Sequence, residues 1–244
     1  MPTTISESSG ISRAKPVRVR VQLLAVLLGV LPLYTPLILY QLRRDEPLSL
    51  EGFVFYLAVI SPVAIVIALL LLRFLCKENP RDLNLKPGKL KSDLLATLIL
   101  ILVILVFNVV SNHFLAKAFP GAASDPSVRN LFENLASNPG LLALFVSLLL
   151  LLGAISEELI RVFLLSRLWK LWPSAKGKAV AVVISACLFG LFHVYRGPIH
   201  VIWTAVFGLL MALWYLRFGR AVPLILAHYV TNALQVVVFA ILVQ

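Results

Sequence analysis

The sequence predicts an all-α protein, a polytopic bundle of about seven transmembrane helices, on three observations. Of its 244 residues 60% are hydrophobic and only 14% charged, with a mean hydropathy of +0.96, far outside the range of a soluble domain. Seven apolar stretches reach or approach the roughly 20 residues a spanning helix needs. They lie at about 21–41, 53–72, 93–112, 140–160, 178–196, 199–217 and 221–243. Finally, the basic residues fall mostly in alternate connections, as they do in polytopic proteins.

The elements follow in order. Residues 1–20 form a basic segment with Arg13, Lys15, Arg18 and Arg20. The apolar run after it is long enough to span, contains Pro32 and Pro36 and lacks a small-residue cleavage site, so it reads as an uncleaved first helix. The second and third spans are joined by a link holding Arg73, Lys77, Arg81, Lys86, Lys89 and Lys91. From His113 to Pro139 the prolines and Gly121 predict an extramembrane loop with at most one short helix. The fourth and fifth spans meet at the turn "WPSAKGK", and the sixth and seventh at "RFGRAVP".

Arg161, Arg167, Lys170, Lys176 and Lys178 flank the first of these turns, and Arg217 and Arg220 the second. Set against Arg43, Arg44, Lys117, Arg129 and Arg196 on the opposite side, they predict a cytoplasmic N-terminus and an external C-terminus, in a plasma or inner membrane. The net charge of +11 is then accounted for by loops facing anionic lipid, with no nucleic-acid partner. Cys76 and Cys187 are too few and too scattered for a disulfide framework or a thiolate metal site.

Ionisable side chains are costly at the bilayer centre, so those found there tend to line a protein interior and mark function. Of eleven acidic residues only Glu157 and Glu158 fall within an apolar helix, and of four histidines only His193 and His228 do. His113 and His200 sit at span edges, as interfacial histidines. Phe189 and His193 are four apart, as are His228 and Asn232, so each pair shares a helix face. Counted from Ala175, Glu157 lies eighteen residues back and His193 eighteen forward, which puts them at one height in an antiparallel hairpin. His228, nine residues past Gly219, would stand only about 13 Å above its turn against about 27 Å for the others. Either the fourth helix extends beyond the bilayer or the spans are tilted.

Such a set can activate water. A carboxylate serves as general base, histidines steady it or bind a divalent metal, and an asparagine amide donates to an oxyanion. Adjacent helical residues project about 100° apart, so Glu157 is assigned to the site and Glu158 to Arg161 or another partner. Each feature also has a purely structural reading: a buried ion pair, an interhelical hydrogen bond, or core packing for Phe189 and Phe192.

In their order and spacing, Glu157-Glu158, Phe189-x3-His193 and His228-x3-Asn232 resemble the motifs of the CAAX prenyl protease and bacteriocin-processing family of intramembrane proteases, the CPBP or Abi group. The resemblance covers roughly residues 140–244, a CPBP-like catalytic transmembrane core, and leaves 21–139 as accessory helices and loops. It implies a hydrolase, an endopeptidase acting on a membrane-associated protein or peptide. Glu157 and His193 would activate the water, and His228 and Asn232 would support the site and the oxyanion. Glu158, Arg161 and Phe189 would support them. If a metal such as Zn2+ is used, a metalloendopeptidase, Glu157, His193 and His228 would be its ligands. One departure stands out: the family places an arginine where this chain has Val162, and Arg161 comes one residue early, within reach of Glu158 at i+3 or Glu157 at i+4. The alternatives are a transporter or proton relay and a catalytically silent scaffold.

Overall fold

The lipid-facing and core-facing sides of each helix are legible in a computed structural model, which describes residues 19–42, 49–83, 85, 88–119 and 126–243. Arg13, Lys15, Arg18, Arg43, Arg44, Lys86, Pro120 and Gly121 lie outside the described residues. Among the described residues eight helices run in order: α1 Val19–Leu42, α2 Leu50–Leu75, α3 Leu90–Ala118, α4 Pro126–Ala136, α5 Pro139–Leu171, α6 Ala175–Leu191, α7 Pro198–Phe218 and α8 Ala221–Val243. No strand occurs among the described residues.

Six of the eight are long and apolar enough to cross a membrane. The fifth expected span, 178–196, forms a shorter helix than expected. Its helix α6 has 17 residues, about 25 Å at 1.5 Å per residue, a little short of a hydrocarbon core of about 30 Å. It ends at Leu191, and the chain continues through a short 3₁₀ turn, Val194–Arg196. His193 therefore stands in the turn beyond the helix. The region after His113 also differs in detail: α3 runs on to Ala118, and the short helix is α4.

Helix α5 is the hub. Its 33 residues make a rod of about 50 Å, longer than a bilayer core is thick, which favours the extended fourth helix over tilt. From Ser156 to Leu168 nearly every side chain is buried, as expected of a helix packed on several sides. It contacts α1, α2, α6 and α8. Its start is capped by Asn138, whose side-chain oxygen accepts from Leu141 N–H at 3.0 Å, with Pro139 in the first turn. Its far end is tied down by Glu78, which accepts from Arg167 at 2.8 and 2.5 Å and from Lys170 at 2.6 Å.

Helices α6 and α7 form the most extensive pair, crossing at Gly190. A Cβ there would lie 2.6 Å from both the Val201 carbonyl oxygen and the Ala205 methyl, so only glycine allows the approach. Helix α8 packs on α3, α4 and α5. Outward, α3 carries a stripe of exposed apolar residues, among them Leu98, Leu102, Val106 and Val109. In water such a stripe would be a liability; against lipid it is the expected surface. Both cysteines are free.

Candidate active site

The two adjacent glutamates of α5 diverge, as 100° of helical rotation requires. Glu158 is fully buried and accepts twice from the Arg161 guanidinium, Nε to Oε2 at 3.0 Å and Nη2 to Oε1 at 3.1 Å. Arg161 also donates through Nη1 to the Gly208 carbonyl oxygen at 3.0 Å and lies 3.9 Å above the Phe189 ring. Its donors are thus spent on one carboxylate, one carbonyl and one aromatic face, the planar fork geometry that suits arginine to buried pairing. Of the two reaches open to it, Arg161 takes the i+3 partner. Glu157 is left unneutralised by it.

Glu158 has a second role. His228 of α8 contacts its Oε1 through Nδ1 at 2.8 Å. A carboxylate oxygen already bonded by arginine can only accept, so Nδ1 carries the proton and donates it. The opposite nitrogen, Nε2, faces Glu157 Oε2 at 3.7 Å, too long for a direct hydrogen bond. His193 is held in the same way by a different acceptor, its Nδ1 donating to the Phe189 carbonyl oxygen at 2.8 Å. This bond preserves the Phe189–His193 adjacency after the helix has ended. Both histidines thus have Nδ1 fixed and Nε2 left over.

Glu157, His193, His228 and Asn232 line one cavity of about 480 Å³. Glu158 and Arg161 sit behind its wall and brace it. Phe189 belongs to the wall and carries load on both sides, with Arg161 on its face and the His193 ring 4.7 Å away. Much of the remaining lining is aromatic, with Phe132, Phe145, Trp203, Phe207 and Phe239. Phe207 meets the His228 ring edge-on at 5.1 Å. Helix α4 contributes Arg129, which pairs with Glu133 at 2.8 Å.

Further polar residues line the cavity unforeseen, among them Tyr56 of α2, Tyr195 and Arg196 of the turn after α6, Thr204 of α7 and Gln235 of α8. For Arg196 the available signal is its place three residues after His193, at the end of an apolar run. Tyr56 left no signal, since a tyrosine in an apolar helix is ordinary.

Among the described residues no three His, Cys, Asp or Glu side chains come close enough together to hold a metal ion. Glu157, His193 and His228 offer suitable donor types but not a ligand cluster as they stand.

Fold and cavity together define a polytopic helical membrane protein in which one glutamate, Glu157, and two histidines face one chamber. Residues 139–234, less than half of the chain, match the family model described as type II CAAX prenyl endopeptidase Rce1-like. No curated protein and no solved structure matches the chain.

Proposed function

We propose that the chain is an intramembrane endopeptidase that cleaves a membrane-associated protein or peptide with a water activated by Glu157 and His193. The observation that carries this reading is the division of labour around the cavity. Glu158 is consumed by Arg161 and His228, while Glu157 keeps its carboxylate toward the chamber, its side chain 17% exposed.

In the proposed reaction a water donates to Glu157 and to the unprotonated Nε2 of His193. Its oxygen attacks the scissile carbonyl carbon as its proton passes to Glu157. The carbonyl oxygen becomes an oxyanion and accepts from the Asn232 amide, one helical turn beyond His228. As the C–N bond breaks, Glu157 returns the proton to the departing nitrogen, leaving a carboxylic acid and an amine. His228, anchored from behind by Glu158, fixes the rotamer of the cavity wall nearest Glu157. The aromatic lining suits an apolar segment or a lipid-modified terminus, such as the prenylated one named in the family description.

The test is hydrolysis of lipidated and membrane-spanning reporter peptides in proteoliposomes made with H₂¹⁸O. The wild type is expected to release products whose new carboxyl carries ¹⁸O, and His193→Ala is expected to release none while remaining folded. Product formation by a folded His193→Ala protein at the wild-type rate would overturn the reading. Activity is expected to survive a metal chelator; loss that added Zn2+ restores would instead assign the histidines as ligands.

A further inference from the structure

Tyr56 is a cavity-lining residue that the proposed reaction leaves unexplained. The residue is 6% exposed, and its hydroxyl is buried without a protein hydrogen-bond partner. Other buried polar atoms share that condition, including those of Ser61, Trp169 and Trp214. None of those residues lines the cavity. A buried hydroxyl that pairs with nothing destabilises the protein that carries it, and phenylalanine would fill the same volume without that cost. The hydroxyl makes physical sense at this position when something polar enters the chamber to meet it.

Two features place Tyr56 close to the candidate base. Helix α2 lies against α5 at Gly153, where a Cβ would stand 3.0 Å from Leu57 Cδ2. Gly153 is one helical turn before Glu157, on the same face. Tyr56, the residue before Leu57, lines the same cavity as Gly153 and Glu157. Moreover, Tyr56 opens a π-helical turn, Tyr56–Ile60. Such turns insert a residue into the helical register and re-aim the side chains at their start, frequently at functional sites.

We infer that the Tyr56 hydroxyl donates a hydrogen bond to the scissile carbonyl oxygen of the bound peptide, sharing the developing oxyanion with the Asn232 amide. This inference rests on the protease reading. It assigns a substrate contact to a helix outside the family-matched segment 139–234. A phenol suits the task because it is a donor that stays protonated at neutral pH, and a second donor at an oxyanion acts on the transition state more than on the ground state.

The discriminating variant is Tyr56→Phe, measured on the full-length protein in proteoliposomes alongside the wild type. The expected result is a kcat about 100-fold lower with KM within twofold, and a Tm equal to or above that of the wild type, because the lost hydroxyl has no protein partner. A purely structural tyrosine would show the opposite pattern, a lower Tm with kcat preserved, and that result overturns the assignment. An unchanged kcat beside a cleaving wild type overturns it too and leaves the protease reading standing. A wild type that cleaves no reporter removes both.

Discussion

Glu157 and Glu158 are the same residue type at neighbouring positions, and their surroundings give them different chemistry. Glu158 is a buried anion with a bidentate arginine and an imidazole N–H on it. Removing one partner of such a group strands the other in a low-dielectric interior. Glu158→Gln and Arg161→Ala are therefore expected to cost roughly 3–5 kcal/mol each, read as loss of the folded fraction in detergent unfolding, with activity falling as a consequence of misfolding. Glu157→Gln should leave stability close to wild type, because its carboxylate faces the cavity and makes no ion pair with Arg161. The sequence narrowed the arginine to two partners and could not choose, since both i+3 and i+4 lie within reach of a guanidinium. What decided it was the Gly208 carbonyl and the Phe189 ring, which hold the far side of the guanidinium and belong to helices whose packing no spacing rule specifies.

At the scale of elements, glycine and charge place the helices. Gly208 lies where α7 passes α5 and α6, and a Cβ there would fall 2.9 Å from Arg161 Nη1 and 3.0 Å from Phe189 Cδ1. Gly208→Ala should push the guanidinium off its carbonyl and loosen Glu158, lowering kcat roughly tenfold, about 1.4 kcal/mol at the barrier; steady-state kinetics on purified protein would read it. The far end of α5 depends on Glu78 instead. Burial alone would raise its carboxyl pKa, but the hydrogen bonds from Arg167 and Lys170 outweigh burial and hold it below the ordinary value. A depressed folded-state pKa stabilises above the unfolded value and stops stabilising as pH falls through the folded one. The Tm gap between wild type and Glu78→Gln should thus be constant above about pH 5 and close progressively below about pH 4. Helix boundaries were legible to within a few residues wherever apolar runs met prolines or charges. Besides the end of α3, they failed after α6 and within α5, for opposite reasons. The segment "FHVYR" after α6 stays aromatic and apolar through a turn, so hydropathy extended the helix too far. In α5 the charged residues 157, 158 and 161 lowered hydropathy within an unbroken helix, so its apparent end came too early.

For the whole molecule, the matched segment 139–234 does not account for the chamber by itself. Helix α2 supplies Phe53, Tyr56 and Leu57 to the wall, while Gln22 of α1 and Glu78 after α2 grip Arg167 from the other side of α5. The earlier helices looked uninformative because their contribution is made by ordinary residues in the right place. The arrangement of basic connections predicts an external C-terminus, which requires α6 to cross the membrane despite its 17 residues. A periplasm-dependent phosphatase fused after Gln244 should be active and a fluorescent protein there dark; the reverse pattern would mean that α6 does not complete a crossing.

The central claim is that Glu157 is the base of a hydrolytic chamber assembled from α5, α8 and the turn after α6. Its most direct measurement is the cleavage rate of a membrane-anchored reporter by Glu157→Gln protein whose Tm matches wild type. The account predicts a loss of about 10²–10⁴-fold; a rate within threefold of wild type in that folded protein would contradict it.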